Sequence, residues 1–371
     1  MDFTTTEVQQ DIASLSRQIL SDQVTPESLH QYDSREVARC DANLWSQLAQ
    51  GGMLGIAVSD KLGGMGFGFT ELAIFFEECG RVLAPVPAIP ACTVAITLEK
   101  FGDEADGAVV ADIVAGDVIA SAAIQEECND DVYAPVCEVS DGKLHGIKHG
   151  VAYFEQAQVL LVVARENDEL GLYSLDPRDS TVQGTPLWTT TMEPQSYVTF
   201  TGTPVKKIGG AEAVSYFIER YTAALCAYQV GACEEMLRLT SEYTSEREQF
   251  GVKIATFQAV GHRAANCYID VACLRLVVQQ AVSKLDAGED ADISVSVAKS
   301  WCGDASHRIS TATQHLHGGM GVDRDYALWR YALWAKQNEL QLGNTTYHLR
   351  HLGEAIAAGD FDIDQQDAVA G

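Results

Sequence analysis

The sequence has little positive charge. Its 371 residues include 25 lysines and arginines against 52 acidic residues, which gives a formal net charge of −27. So acidic a chain repels phosphate backbones and anionic lipid headgroups, which argues against nucleic acid and membrane as partners. An anionic ligand would need a local cationic site to bind here.

Three other features are missing. No stretch reaches the roughly 18–20 consecutive apolar residues of a membrane helix. The first residues lack the basic and apolar regions of a secretory signal. No two of the ten cysteines form a C-x-x-C pair, so we expect buried, reduced thiols rather than disulfides or zinc sites. These absences predict a cytoplasmic protein.

What is present is enough apolar sequence, 47% of the chain, for a large core. Residues 1–117 and 209–358 repeat apolar residues at helical spacing, whereas residues 118–208 contain short β-branched runs separated by turns. We therefore predict an α+β fold with an N-terminal helical domain, a small middle β-barrel or sheet domain and a C-terminal four-helix bundle. An acidic tail, residues 359–371, follows.

Several elements can be placed within these units. Thr70 predicts the N-cap of a helix from Glu71 to about Val82, with Gly80 at its end, and the prolines at 85, 87 and 90 predict a loop after it. The predicted strands are residues 132–139, 159–164, 172–175 and 197–200. The predicted C-terminal helices are residues 211–244, 255–287, 294–316 and 325–338.

The first motif with chemical meaning is residues 245–251. Arg247 lies where a long helix ends, and a guanidinium fork suits a diphosphate. The aromatic residues that follow, Phe250 and Phe257, suit a flat ring. The alternative is a solvated arginine paired with Glu246 or Glu248, and this segment alone favours that alternative.

The second motif is a glycine loop, residues 318–321. Its glycines let the backbone approach a ligand and offer N–H donors. No strand precedes the loop, so it is not a Rossmann fingerprint. His315 and His317 lie two residues apart on a helix and do not share a face, so we expect no metal. The alternative is a helix C-terminus with glycine as its cap.

Together these motifs, with residues 44–48, 63–66 and 77–81, resemble the acyl-CoA dehydrogenase family over nearly the whole chain. These flavoproteins oxidise acyl-CoA thioesters to the trans-2-enoyl form. The resemblance implies a tetramer with FAD bound between two subunits. By resemblance, the residues that hold the diphosphate and adenosine end of the neighbour's FAD are Arg247, Phe250, Phe257, Gln258, His315, Gly318 and Gly319.

The catalytic base is absent from its usual place. Counting from Gly318, the resemblance places Leu342 where the family has the glutamate that removes the substrate proton. Some members carry the base on the first long C-terminal helix, and Tyr221 occupies that place here. Glu219 lies about 200° around the same helix and should face elsewhere. It stays a candidate base, and we assign no catalytic residue to this chain.

The sequence also departs from the family in the segments expected to bind the chain's own flavin. The family's glycine-rich flavin cradle matches residues 124–131, where four carboxylates stand instead. Its tryptophan segment matches residues 150–153 without a tryptophan, and an Arg-Asp pair is replaced by Leu333 and Trp334. His315 replaces a glutamine. We predict a degenerate cradle on this chain.

The motifs that serve a neighbour are retained, and those that serve the chain itself are lost. This partition resembles the β-type subunit of α2β2 acyl-CoA dehydrogenases in actinobacterial sterol side-chain degradation. It implies an α-type partner that supplies the glutamate, an acyl-CoA substrate and an electron-transfer flavoprotein as acceptor. The alternatives are a self-sufficient homomeric enzyme that uses Glu219, and a non-catalytic structural homologue.

Overall fold

The computed structural model describes residues 4–359, and its first unit is helical. The tail from residue 360 onward lies outside the described residues. The N-terminal helices are α1 (Glu7–Gln23), α2 (Pro26–Leu29), α3 (Ala42–Gln50), α4 (Phe69–Val82), α5 (Ala88–Phe101) and α6 (Glu104–Ala115). Between residues 4 and 359, no helix is both long and apolar enough to span a membrane.

The predicted start of α4 is wrong, whereas its predicted end at about Val82 is confirmed. Gly68 is the N-cap, and a distant carboxylate, Asp286, accepts hydrogen bonds from the Phe69 N–H (2.6 Å) and the Thr70 hydroxyl (2.8 Å). Gly80 lies inside the helix and does not end it. Gly80 has a packing role instead, because a Cβ there would lie 1.8 Å from the Tyr228 carbonyl oxygen. A glycine is therefore needed for close approach between two helices, not for termination.

The loop predicted from the prolines is shorter than expected. Pro87 is the N-cap of α5 and Pro90 lies in its first turn, where a missing backbone N–H costs nothing. Every residue of α5 from Ala88 to Leu98 is buried. A helix buried on all sides has no amphipathic stripe, and periodicity could not reveal it.

The middle unit is a mainly antiparallel eight-stranded sheet, ordered β6-β7-β3-β2-β4-β5-β8 with β1 parallel to β4. Its strands are β1 (Ala120–Ala123), β2 (Glu138–Ser140), β3 (Lys143–Ala152), β4 (Val159–Glu166), β5 (Glu169–Leu175), β6 (Val182–Leu187), β7 (Gln195–Pro204) and β8 (Lys206–Gly209). Three predicted strands correspond to β4, β5 and β7. The prediction of a strand over 132–139 is wrong, because pairing begins only at Glu138.

The C-terminal unit contains the four predicted helices and one more within the described residues. They are α7 (Ala211–Glu246), α8 (Gln258–Ala287), α9 (Asp292–His317), α10 (Leu328–Leu340) and α11 (Thr345–Ala358). A two-strand hairpin, β9 (Glu248–Gln249) and β10 (Val252–Lys253), follows α7. Helix α7 packs against α4, α8 and α9, so its central turns are buried.

Seven of the ten cysteines are buried, as expected. The exceptions are Cys40 and Cys273, which are half-buried, and Cys128, which is exposed.

Candidate cofactor site

The hairpin after α7 displays an aromatic pair. Phe250 and Gly251 form its turn with φ values of 57° and 78°, the left-handed geometry that fits the twist of a two-residue hairpin. Phe250 is 91% exposed, and its ring meets that of Phe257 edge to face at 6.2 Å. Phe257 is in turn the N-cap of α8, whose first residue is Gln258. An exposed aromatic pair at a helix N-terminus suits a ring that carries phosphates.

Arg247 caps the C-terminus of α7 and is exposed. Among the described residues its guanidinium is not paired with Glu246 or Glu248 and stands in solvent. The pairing in the alternative interpretation is therefore absent, although the solvated side chain that it also predicted is present. The fork remains available to an anionic ligand.

The glycine loop follows α9 and divides into two parts. Gly318 caps the helix with φ 58°, and residues 318–322 form a 3₁₀ turn. A Cβ at Gly321 would lie 2.6 Å from the Gln314 carbonyl oxygen, so that glycine packs the loop onto α9. Gly318 and Gly319 have open space where a Cβ would be. Their exposed backbone is free to approach a ligand.

The structure brings the two motifs to one end of the helical unit. The Tyr243 ring, in the last turn of α7, stacks on the His317 ring at 4.4 Å. His315 is exposed while His317 is buried, so the two histidines face different ways, as their spacing predicts. Six of the seven predicted cofactor residues belong to the ends of α7 and α9 or to the start of α8, and Phe250 lies in the hairpin turn between α7 and α8. A guanidinium, open backbone N–H groups and two aromatic rings fit the ADP portion of FAD.

The place of the family's base is apolar. Leu342 is buried with φ 56° and is followed by Gly343 with φ 92°. The buried Lys299 ammonium fixes this turn by donating to the carbonyl oxygens of Asn338 (2.9 Å), Glu339 (3.1 Å) and Gly343 (2.8 Å). Lys299 thus holds the left-handed turn at Leu342 and Gly343 in place, although this turn carries no carboxylate.

Tyr221 and Glu219 face different cavities, as the helix geometry predicts. Tyr221 lines a cavity of about 30 Å³ with Tyr153 and Tyr228, which has room for no more than a few water molecules. Glu219 lines another of about 20 Å³ beside Leu342. Burial, and then the nearby Asp292 carboxylate, raise the pKa of Glu219 to about 7. Neither cavity can admit an isoalloxazine ring or an acyl thioester.

Glu193 is a buried carboxylate that lines a cavity and that the sequence did not reveal. It lines the Tyr221 cavity and accepts hydrogen bonds from Gln195 Nε2 (2.7 Å) and Gln337 Nε2 (2.6 Å). Burial raises the pKa of its carboxyl. Gln337 is 144 residues away along the chain, so no local pattern signals this cluster.

Trp334 completes this filled interior. It packs on Tyr228 at 5.4 Å where the family has a charged pair. Side chains of this chain therefore fill the interior around Tyr221.

The stretch that replaces the flavin cradle is held by an internal ion pair. Glu126 accepts from the fully buried Lys148 ammonium (2.8 Å) and from the backbone N–H groups of Val136 (2.6 Å) and Cys137 (2.9 Å). Burial opposes ionisation, but Lys148 and these donors lower the pKa of Glu126 to about 2. Lys148 also donates to the Ile124 carbonyl oxygen (2.9 Å). The polar groups of this stretch therefore bind each other.

Comparison with known proteins identifies this architecture. The model of the acyl-CoA dehydrogenase N-terminal domain matches residues 6–110, and that of the C-terminal domain matches residues 209–357. The acyl-CoA dehydrogenase FadE27 of Mycobacterium tuberculosis is 35% identical over 96% of this chain and 99% of its own. The chain belongs to the acyl-CoA dehydrogenase family. The predicted family and fold class are confirmed, and the family's enzymes are oxidoreductases that act on CH–CH bonds.

Two solved structures share both sequence and fold with this acyl-CoA dehydrogenase chain. The Tcur3481–Tcur3483 steroid ACAD is 34% identical with a TM-score of 0.92. The ChsE4–ChsE5 complex from Mycobacterium tuberculosis is 35% identical with a TM-score of 0.91. Each match covers 96% of this chain and 99% of the other. Structures of this fold include FAD complexes, in agreement with the predicted cofactor.

Proposed function

We propose that this chain is a subunit of an FAD-dependent acyl-CoA dehydrogenase that works only with a partner subunit. The observation that carries the proposal is the contrast between the two ends of α7. Arg247 stands exposed at one end, whereas Tyr221, near the other, lies in a filled interior. The two residues are 26 positions apart, which corresponds to about 39 Å along the helix, more than the length of an extended FAD. Arg247 therefore serves a cofactor whose flavin ring lies in another subunit.

The outer surface of α8 supports assembly with a partner. In a chain of net charge −27, this helix has only two acidic residues, Asp270 and Asp286. Both are engaged internally, Asp270 by Arg308 (2.8 Å) and Asp286 at the start of α4. The helix instead exposes Tyr268, Ile269 and Leu276 by 67%, 56% and 50%. An apolar surface without free negative charge, next to the Phe250 hairpin, suits a subunit interface.

In the proposed assembly, Arg247 and the Gly318–Gly319 backbone neutralise the FAD diphosphate, and Phe250 and Phe257 contact the adenine. Gln258 and His315 complete the part of the site that holds the diphosphate and adenosine end of FAD. When bound, FAD would supply the hydride acceptor for oxidation of the acyl thioester to its trans-2-enoyl product, and a glutamate of the partner would supply the base for the α-proton. A positioned base contributes about 10²–10⁴-fold, so a chain with Leu342 alone would be close to inert.

The relatives support a partner and a substrate class for this proposal. The ChsE4–ChsE5 and Tcur3481–Tcur3483 proteins are two-chain assemblies, and the latter is a steroid enzyme. We extend the proposal to an α2β2 tetramer in the cytoplasm, a steroid side-chain CoA thioester as substrate and electron-transfer flavoprotein as acceptor.

The main competing function is a homomeric enzyme with Glu219 as base. One observation favours it: the pKa of Glu219, raised to about 7 by burial and Asp292, suits a general base. Against it, the cavity beside Glu219 is only about 20 Å³. A non-catalytic structural homologue without FAD is the third possibility. An intact assembly that contains no flavin would favour it.

Co-expression tests the proposal. The chain purified alone should carry little FAD and show no turnover, and co-expression with an α-type partner should restore both. Full dehydrogenase activity of the single chain would overturn the proposal. In the active assembly Glu219→Gln should leave turnover intact, whereas loss of turnover with FAD retained would favour the homomeric alternative.

A further inference from the structure

His317 joins the two halves of the proposed diphosphate site. It is 2% exposed and directly precedes Gly318, so a ligand on the loop cannot touch its ring. The ring stacks on Tyr243 at 4.4 Å with an interplanar angle of 23°. Tyr243 lies one turn before Arg247, whose N–H donates to the Tyr243 carbonyl oxygen (2.8 Å).

The hydrogen bonds of His317 fix its orientation. Nδ1 lies 2.8 Å from the Thr313 carbonyl oxygen, which can only accept, so Nδ1 carries the proton. The other nitrogen, Nε2, lies 3.1 Å from the Tyr326 hydroxyl and accepts from it. Burial lowers the pKa of the ring, in agreement with this neutral form. Each nitrogen thus has one defined partner.

These contacts hold both flanks of the glycine loop. His317 stands immediately before residues 318–322 and Tyr326 four residues after them, so their hydrogen bond closes the loop. Both rings also lie near Tyr243, at 4.4 and 6.4 Å between ring centres. The loop is therefore fixed relative to the last turn of α7, and through it to Arg247.

We infer that His317, with Tyr326 and Tyr243, is a positioning cluster that sets the Gly318–Gly319 N–H groups and the Arg247 guanidinium at the spacing a diphosphate requires. The inference rests on the proposed function and adds residues that do not touch the cofactor. Two donors that must meet one ligand bind it well only when their separation is fixed before binding.

The test uses the assembled complex stripped of FAD. His317→Phe keeps a ring against Tyr243 but loses both hydrogen bonds, and Tyr326→Phe loses one. We expect the Kd for FAD to rise about 10- to 30-fold in the first and about 5-fold in the second. Calorimetry should show the same loss for ADP but an unchanged Kd for adenosine, because adenosine lacks the diphosphate. Native mass should not change.

Unchanged FAD and ADP affinity in both variants, at native mass, would overturn the inference. An equal loss for ADP and adenosine would also overturn it, since that pattern indicates general loosening. If His317→Phe fails to assemble, Tyr326→Phe decides the question alone. The variant Arg247→Met distinguishes failure of this inference from failure of the proposed function. Were this variant also to bind FAD normally, the proposed function itself would be wrong.

Discussion

Replacement of Glu219 by glutamine should stabilise the protein at alkaline pH and leave it unchanged in acid. Burial and Asp292 raise the pKa of Glu219 to about 7, against an ordinary value near 4.5. A raised pKa means that the folded state favours the protonated carboxyl. Its contribution is full below about pH 4.5 and is lost as the pH rises through 7. Glutamine stays neutral and avoids this loss.

The magnitude follows from the two pKa values. Their difference corresponds to about 3 kcal/mol at full ionisation, and partial exposure of the half-buried side chain reduces this to about 1–2 kcal/mol. Urea unfolding at pH 8 should therefore show Glu219→Gln more stable by that amount, with an unchanged denaturant slope. At pH 4.5 the two proteins should unfold together.

Glu212 offers a matched control on the same helix. It is exposed in the first turn of α7, so Glu212→Gln should give no pH-dependent gain. If Glu219→Gln and the parent were equally stable at pH 8, or if the variant were less stable, the raised pKa of Glu219 would be refuted.

Three further outcomes are expected. Arg247→Gln should raise the Kd of the complex for FAD about 10- to 100-fold, because a charged hydrogen-bond donor to the diphosphate is lost, and flavin retained on gel filtration measures it. Gly321→Ala should lower Tm, since its Cβ would lie 2.6 Å from the Gln314 carbonyl oxygen, whereas Gly319→Ala meets open space and should leave Tm unchanged. Burial lowers the pKa of His348 to about 4, so about 3 kcal/mol of stability should be lost as the pH falls from 6.5 through 4, and His348→Gln should remove that acid sensitivity in urea unfolding.

Local sequence pattern predicted the long helices and the β-branched runs. Helices α7 and α9 and strand β4 follow their predicted segments closely, the helices through apolar residues at helical spacing and β4 through a continuous apolar run that is buried on both faces. It missed α5, whose buried residues leave no polar face to mark the period. It also misplaced the start of α4, because the N-cap is Gly68 and the first N–H of the helix donates to Asp286 from the other helical unit.

The residues of the candidate site also divide into those that a local sequence pattern reveals and those that only the tertiary fold brings together. Arg247 and the Gly318 loop were found because their residue types are read in sequence and their positions follow from helix ends. The Glu193–Gln337 and Glu126–Lys148 pairs were missed, because each joins residues that only the tertiary fold brings together. The sequence predicted that the family's cradle is degenerate here, which stays a prediction. Only the structure shows what fills its place.

The native mass of the purified assembly, together with its flavin count, tests the central claim most directly. The account predicts an α2β2 tetramer that contains this chain, a second dehydrogenase chain and two FAD molecules. A homotetramer of this chain with four bound flavins and full dehydrogenase activity would contradict it.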